Sequence, residues 1–275
     1  MDAASAVLKI RYYRTHQYSI RISHNPGYPP SHRTAVNNLT TDSLGNLHIQ
    51  QHSRGYRFSI DPLLLAWHTH PRAGEHILDL GTGCGILSLL MAQKQPDLRI
   101  TAVEIQPELA SLARRNVLAN QMQDTINIFE MDMRFLSQKK LCGPVDRILI
   151  NPPYYRKDCG RTNPGSEKAA ARHEIYINLE EWTKLAASLL KTGGRLHCVF
   201  PAERCAEVLY AMTISRIIPK NIRNVHSTAQ SPASLILAEG ALGAGQGCTL
   251  APPLILYKAP DVYSDEARQI LWPQI

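Results

Sequence analysis

The stretch Asp79-Leu80-Gly81-Thr82-Gly83-Cys84-Gly85 constrains this chain more than any other, because it joins the apolar run Ile77-Leu78-Asp79-Leu80 to an apolar helix signal from Ile86 to Gln93. Glycines at alternate positions of such a junction mark a strand that turns sharply into a helix with its backbone left bare for a ligand. The alternation then continues. Ile100-Thr101-Ala102-Val103 reads as the next strand, and Pro107 opens a helix with Leu109, Leu112, Ala113 and Leu118 along one side and Arg114 and Arg115 pointing away. Further strands are expected at 125–129, 147–150, 195–200, 221–226 and 234–238. Between them, Asn178 with Glu181 three residues on has the form of a capping box, opening a helix through Leu189 that stops at Gly193-Gly194. The pattern predicts an α/β fold: a mainly parallel sheet with helices on both faces.

Composition narrows the class further. At 275 residues the chain suffices for one sizeable domain. It contains no apolar run near the roughly 18 residues that a membrane span needs, so a soluble protein is expected. Cys84, Cys142, Cys159, Cys198, Cys205 and Cys248 form no C-x-x-C pair and follow no signal peptide. Reduced thiols, a cytoplasmic location and no zinc site are expected. His68 and His70 lack acidic or thiol partners at metal-ligand spacing.

The net charge of +7 permits an anionic partner without requiring one. Much of the excess sits in residues 1–40, where Lys9, Arg11, Arg14, Arg21 and Arg33 face Asp2 alone. Residues 1–38, with Pro26-Gly27-Tyr28-Pro29-Pro30 and no helical or strand periodicity, read as a flexible extension ahead of a single domain at 39–275. An RNA-binding arm, a disordered tail, a misplaced start site and an Arg-rich transit peptide all fit that composition.

The spacing of the glycines separates two cofactor classes. A dinucleotide fingerprint needs its third glycine where Ile86 stands, whereas here Gly81, Gly83 and Gly85 alternate. This G-x-G-x-G form after the acidic Asp79 resembles motif I of the S-adenosylmethionine-dependent methyltransferases. Glu104 ends the next strand, where a carboxylate can accept both ribose hydroxyls of a nucleoside cofactor. Asp132 is placed like that family's acidic residue near the adenine. The plainer alternatives are a helix N-terminal charge for Glu104 and a solvated turn for Asp132.

Asn151-Pro152-Pro153-Tyr154 follows the strand Arg147-Ile148-Leu149-Ile150 directly, which places it at the same sheet edge as the glycine loop. An amino nitrogen conjugated to a ring shares its lone pair and is a poor nucleophile. The Asn151 side-chain oxygen and the Pro152 carbonyl, each accepting one N–H, would hold that nitrogen with its lone pair turned toward the methyl donor. The prolines restrict φ and supply no competing N–H. Tyr154 offers a face for stacking, worth about 1–3 kcal/mol in comparable contacts. Holding donor and acceptor in line is worth roughly 7–11 kcal/mol of barrier, with neither a metal nor a covalent nucleophile needed. The tetrapeptide alone does not separate adenine, guanine and glutamine amide. A basic segment follows, with Arg156, Lys157, Arg161, Lys168, Arg172 and His173 interrupted by Gly160, Pro164 and Gly165, and it suits a phosphate backbone or closure over a flipped base.

Several blocks together resemble the bacterial tRNA adenine-N6 methyltransferases that act on valine tRNA. They are Gly55-Tyr56-Arg57-Phe58-Ser59-Ile60-Asp61 with Leu63-Leu64-Leu65-Ala66, the glycine loop, the tetrapeptide, Asn163-Pro164, Ala171-Arg172-His173-Glu174 and Pro252-Pro253-Leu254-Ile255-Leu256-Tyr257. The likeness spans residues 39–275. It implies a Rossmann-like class I methyltransferase with a seven-stranded sheet, an antiparallel C-terminal strand, S-adenosylmethionine as cofactor and tRNA as partner, working as a monomer. It also implies that Arg57, Phe58 and Asp61 cover the cofactor and that Tyr154, Arg156, Lys157, Arg161, Arg172 and His173 meet substrate. Residues 1–38 lie outside the pattern, and 239–247 lacks the basic residues expected there. A release-factor glutamine methyltransferase shares the tetrapeptide but not the Arg172-His173-Glu174 block, and an amino-methyltransferase of rRNA or DNA is the remaining rival.

Overall fold

The computed structural model describes residues 10–12, 18–20, 39–52, 59–152 and 178–272. Two three-residue strands, β1 (Ile10–Tyr12) and β2 (Tyr18–Ile20), pair antiparallel within the segment expected to lack strand structure. Three residues are too few for alternation to stand out in a sequence. A second antiparallel pair, β3 (Leu39–Leu44) and β4 (Leu47–His52), closes through Gly45-Asn46, with Gly45 at φ +58°. Leu47, Ile49 and Gln51 of β4 are buried and alternate with more exposed neighbours, so one face of the hairpin packs on the domain.

The central unit follows the expected alternation: α1 (Asp61–His68), β5 (His76–Leu80), α2 (Ile86–Lys94), β6 (Arg99–Glu104), α3 (Pro107–Ala119), β7 (Ile126–Glu130) and β8 (Val145–Ile150). Beyond the undescribed 153–177 come α4 (Leu179–Leu189), β9 (Leu190–Pro201), α5 (Cys205–Ile214), β10 (Ile217–His226), β11 (Ala233–Leu242) and β12 (Thr249–Ile255). A short pair, β13 (Tyr257–Ala259) and β14 (Val262–Tyr263), and α6 (Asp265–Leu271) end the described chain.

The main sheet has eight strands in the order β12-β10-β11-β9-β8-β5-β6-β7, one more than expected. Only β11 runs against its neighbours, antiparallel to both β9 and β10. The extra strand is β12, parallel to β10 at the sheet edge. Its Pro252-Pro253 hides it in the sequence, and an edge tolerates proline because one side of the strand needs no donors. Side chains alternate between two cores. Ile77, Leu149 and Val199 face the side that carries α1, α2, α3 and the hairpin, while Leu78, Leu80, Ile148 and Ile150 face Trp182 and Leu189 of α4 and Met212 of α5. Helices therefore cover both faces, as a parallel sheet requires.

Two local expectations change. Leu118, expected on the buried side of α3, is 67 % exposed, while Asn116 and Val117 are buried. The α4 capping box is present, with Asn178 Oδ1 accepting from Glu181 N at 2.9 Å and Glu181 Oε2 accepting from Asn178 N at 3.2 Å. The helix ends at Leu189, but Gly193-Gly194 lies inside β9 at a register shift against β8. A Cβ at Gly194 would sit 2.8 Å from Lys191 O, so this glycine serves the irregular strand pairing rather than a helix stop.

Candidate active site

Register places the two sequence features side by side. Ile150, the last residue of β8, lies opposite Leu80, the last of β5, so Asn151 and Gly81 leave adjacent parallel strands at the same level. Leu80 is also opposite Val103 of β6, and Gly81 N and Thr82 N donate to Val103 O at 2.9 and 3.0 Å. The carboxyl ends of β5, β6 and β8 thus form one edge, the usual ligand-binding edge of an open α/β sheet.

The loop is bent by its glycines. Gly81, Gly83 and Gly85 have φ of +74°, +60° and +87°, a region that costs other residues about 1–2 kcal/mol. Gly85 is the N-cap of α2 and supplies no side-chain cap, which leaves the first N–H groups of that helix to bind a ligand. A Cβ at Gly81 would meet nothing nearer than Met133 Cε at 4.0 Å, so the strand end is open on that side.

Asp79 lies beneath this loop, 2 % exposed. Its Oδ2 accepts from Thr82 Oγ1 and Ser88 Oγ, both at 2.6 Å. Those bonds brace the loop against α2. Burial pushes the carboxyl up to about 6 against the opposing effect of the two hydroxyls. Thr82 and Ser88 were not singled out in the sequence, although hydroxyls three and nine residues after a buried aspartate are their signal.

Glu104, 5 % exposed, ends β6 as expected. Its Oε2 accepts from Gly83 N and its Oε1 from Gln106 N, each at 2.9 Å. The Ile105 N–H and the Gln106 side chain also lie against this carboxylate, so its acceptor sites are shared between the loop and the turn that follows β6. Burial raises its pKa, and the backbone N–H groups act against that rise. The carboxylate therefore fixes the loop against the end of β6.

Asp132 stands after β7, and its Oδ1 accepts from Arg134 N at 2.8 Å while Oδ2 accepts from Arg134 Nε at 2.8 Å. The Arg134 hydrogen bonds hold its carboxyl below the usual range. Asp61 occupies the first turn of α1, 7 % exposed, with Oδ1 making no hydrogen bond among the described residues. Burial drives it from 3.8 to about 6. Arg57, Phe58, Pro153, Tyr154, Arg156, Lys157, Arg161, Arg172 and His173 lie outside the described residues. Asn151 and Pro152 are described, each partly exposed at the sheet edge. Among the described residues no three His, Cys, Asp or Glu side chains gather to hold a metal ion, and no helix is long and apolar enough to cross a membrane.

Residues 60–230 match the methyltransferase small domain. A protein of Porphyromonas gingivalis named tRNA1(Val) (adenine(37)-N6)-methyltransferase is 32 % identical over 240 residues, covering 84 % of this chain and 93 % of its relative. The chain belongs to this methyltransferase family. A second member, from Flavobacteriaceae bacterium strain 3519-10 and of the same name, is 30 % identical over 79 % of this chain and 90 % of its own length. Among solved structures, a predicted O-methyltransferase from Agrobacterium tumefaciens superposes with a TM-score of 0.61 at 21 % identity, covering 76 % of this chain and 94 % of the other. The M. jannaschii tRNA m1G37 methyltransferase gives 0.55 at 13 % identity over 76 % and 58 %. These two likenesses concern the fold, and they agree with the Rossmann-like sheet of this family member.

Proposed function

We propose that this family member transfers the methyl group of S-adenosylmethionine to the exocyclic 6-amino group of an adenosine in tRNA, the one 3′-adjacent to the anticodon of a valine tRNA. It would do so in the cytoplasm, as a monomer. The observation that carries the reading is the Leu80–Ile150 register, which sets Asn151 beside the glycine loop. The relatives' shared name supports adenine in tRNA over guanine or glutamine amide.

The described residues fit the cofactor: bare backbone at Gly81 and the uncapped first turn of α2 suit its amino-acid part, and the Glu104 carboxylate at the end of β6 suits its ribose. When bound, S-adenosylmethionine supplies an electrophilic methyl group on a sulfonium. Gly81 to Gly85 and Glu104 hold it, with Asp61 and Asp132 at its margins. Asn151 and the Pro152 carbonyl accept the two N–H bonds of the adenine amino group and turn its lone pair toward that methyl. Tyr154 stacks on the base. The basic residues between Arg156 and His173 bind the RNA backbone.

Purified protein incubated with labelled S-adenosylmethionine and unmodified tRNA should place the label in N6-methyladenosine, read by nucleoside mass spectrometry. Asn151→Ala should reduce transfer at least about 100-fold, the scale of losing a preorganised polar contact in a transition state, while cofactor affinity stays within twofold. Label in protein instead of RNA would replace adenine with glutamine as the acceptor.

A further inference from the structure

Asn116 on the buried side of α3 and Asn120, the half-buried cap at its C-terminal end, lie one helical turn apart, and both serve the hairpin β3–β4. Asn116 Oδ1 accepts from Gln50 N at 2.8 Å, and Asn116 Nδ2 donates to Gln50 O at 2.9 Å. Asn120 repeats the pattern with His48, accepting from its N at 2.9 Å and donating to its O at 2.8 Å. An amide that exchanges both bonds with one residue does what a neighbouring strand would do. The spacing permits the repeat, since helix positions four apart are separated by about 6 Å along the axis and alternate strand residues by about 6.7 Å. The helix thereby satisfies the edge of β4 that β3 leaves unpaired.

Asn116 also reaches the glycine loop. Its Nδ2 donates to Cys84 O at 2.8 Å, and its side chain is fully buried. A Cβ at Gly85 would lie 3.4 Å from Cβ of Ala113, one turn earlier on the same helix. Glu104, just before α3, holds Gly83 N. Two successive loop residues, Gly83 and Cys84, are thus hydrogen-bonded by one β6–α3 unit, and one amide within it bonds the loop and the hairpin together.

We infer that Asn116 is a positioning residue that couples docking of the β3–β4 hairpin to the shape of the cofactor loop, so that S-adenosylmethionine binds tightly only with the hairpin docked. The inference rests on reading that loop as the S-adenosylmethionine site. The coupling is reciprocal, so cofactor binding tightens the hairpin as much as the hairpin tightens the cofactor.

The test combines amide hydrogen exchange of the full chain, with and without S-adenosylmethionine, with the affinity for that compound and steady-state kinetics. In the unaltered protein, S-adenosylmethionine should slow exchange in peptides spanning 45–52. Asn116→Ala should remove that slowing and raise both Kd and KM for S-adenosylmethionine by at least about fivefold, the lower end of typical coupling, with kcat at saturation within about twofold. Asn120→Ala keeps the Cys84 bond. It should speed hairpin exchange in both states and raise Kd by roughly two- to threefold, below the range of a full coupling.

An Asn116→Ala protein with a lower melting temperature but unchanged KM and unchanged ligand-induced slowing would overturn the inference. Should that variant fail to fold, Asn120→Ala decides: a loosened hairpin with unaltered affinity also overturns it. Failure of the unaltered protein to bind S-adenosylmethionine would remove the cofactor reading and the inference together, whereas binding that ignores both substitutions removes only the inference.

Discussion

A buried carboxylate with one oxygen unbonded is costly to keep, which makes Asp61, held among the described residues only by Ser59 and its own backbone, the residue with most to say about function. Its Oδ1 makes no hydrogen bond among the described residues, and burial lifts its pKa from 3.8 to about 6. Because the folded value exceeds the unfolded one, the group costs nothing below pH 4 and costs most above pH 6. At about 1.4 kcal/mol per pH decade, the penalty approaches roughly 2–3 kcal/mol at pH 8. Asp61→Asn should therefore stabilise the cofactor-free protein by about that amount at pH 8, with the gain fading to nothing by pH 4, in urea unfolding followed across pH. If Asp61 covers the cofactor, KM for S-adenosylmethionine should rise roughly tenfold in the same variant, the worth of one charge-assisted hydrogen bond. A variant that gains stability and keeps its KM would deny Asp61 that role.

At the scale of elements, the junction from β5 to α2 depends on backbone shape. Gly85 sits at φ +87° with Ala113 close by, so Gly85→Ala should cost about 1–2 kcal/mol of stability and weaken cofactor binding more than it slows kcat. Thermal melts with and without S-adenosylmethionine would show this as a smaller ligand-induced rise in melting temperature. This junction was legible in the sequence because alternate glycines after an apolar strand have few other uses. The same holds for Glu104 at the end of β6 and for the Asn178 capping box, where local chemistry dictates local structure. Where a residue's partner lies far along the chain, the sequence misled. Leu118 fitted the apolar stripe of α3, yet Asn116 and Asn120 take the inward side because the hairpin, 66 to 72 residues earlier, offers them peptide groups. Gly193-Gly194 looked like a helix stop because a strand register shift leaves no local signature. The eighth strand was hidden by prolines that only an edge can accommodate.

At the scale of the molecule, buried titratable groups line the sheet from one end of its strands to the other. The carboxyl edge holds Asp79 and Glu104, raised by burial, with Asp61 buried in the helix layer beside it. His76 at the start of β5 and His197, in the row of Leu149 and Asp79, are buried and held neutral, His76 at about 4 and His197 well below 6.5. Arg147, opposite Ile77, ties the start of β5 to the row of His197. It donates from Nε and Nη2 to the two Glu75 oxygens at 3.0 Å each, and from Nη1 to His197 Nε2. Glu75 precedes β5 and Gly81 follows it, so roughly 17 Å of strand separates Glu75 from the cofactor loop, whereas His197 shares a row with Leu149 and Asp79. Arg147→Met strips a carboxylate and a buried imidazole of their partner and should cost about 3–5 kcal/mol in urea unfolding at pH 8. Kinetic constants measured well below the melting temperature should change less than stability does, since the lost bonds reach the loop only through the His197–Leu149–Asp79 row. The deficit should also narrow with acid. His197 is held down by burial first and by the Arg147 charge second, so removing that charge moves its folded pKa up toward the unfolded 6.5. A depressed histidine loses stability as pH falls below 6.5, and the variant is spared part of that loss. Unfolding curves at pH 8 and pH 5 should therefore lie closer together for Arg147→Met than for the unaltered protein, and a deficit that widens with acid would mean that Arg147 acts on the fold without acting on His197.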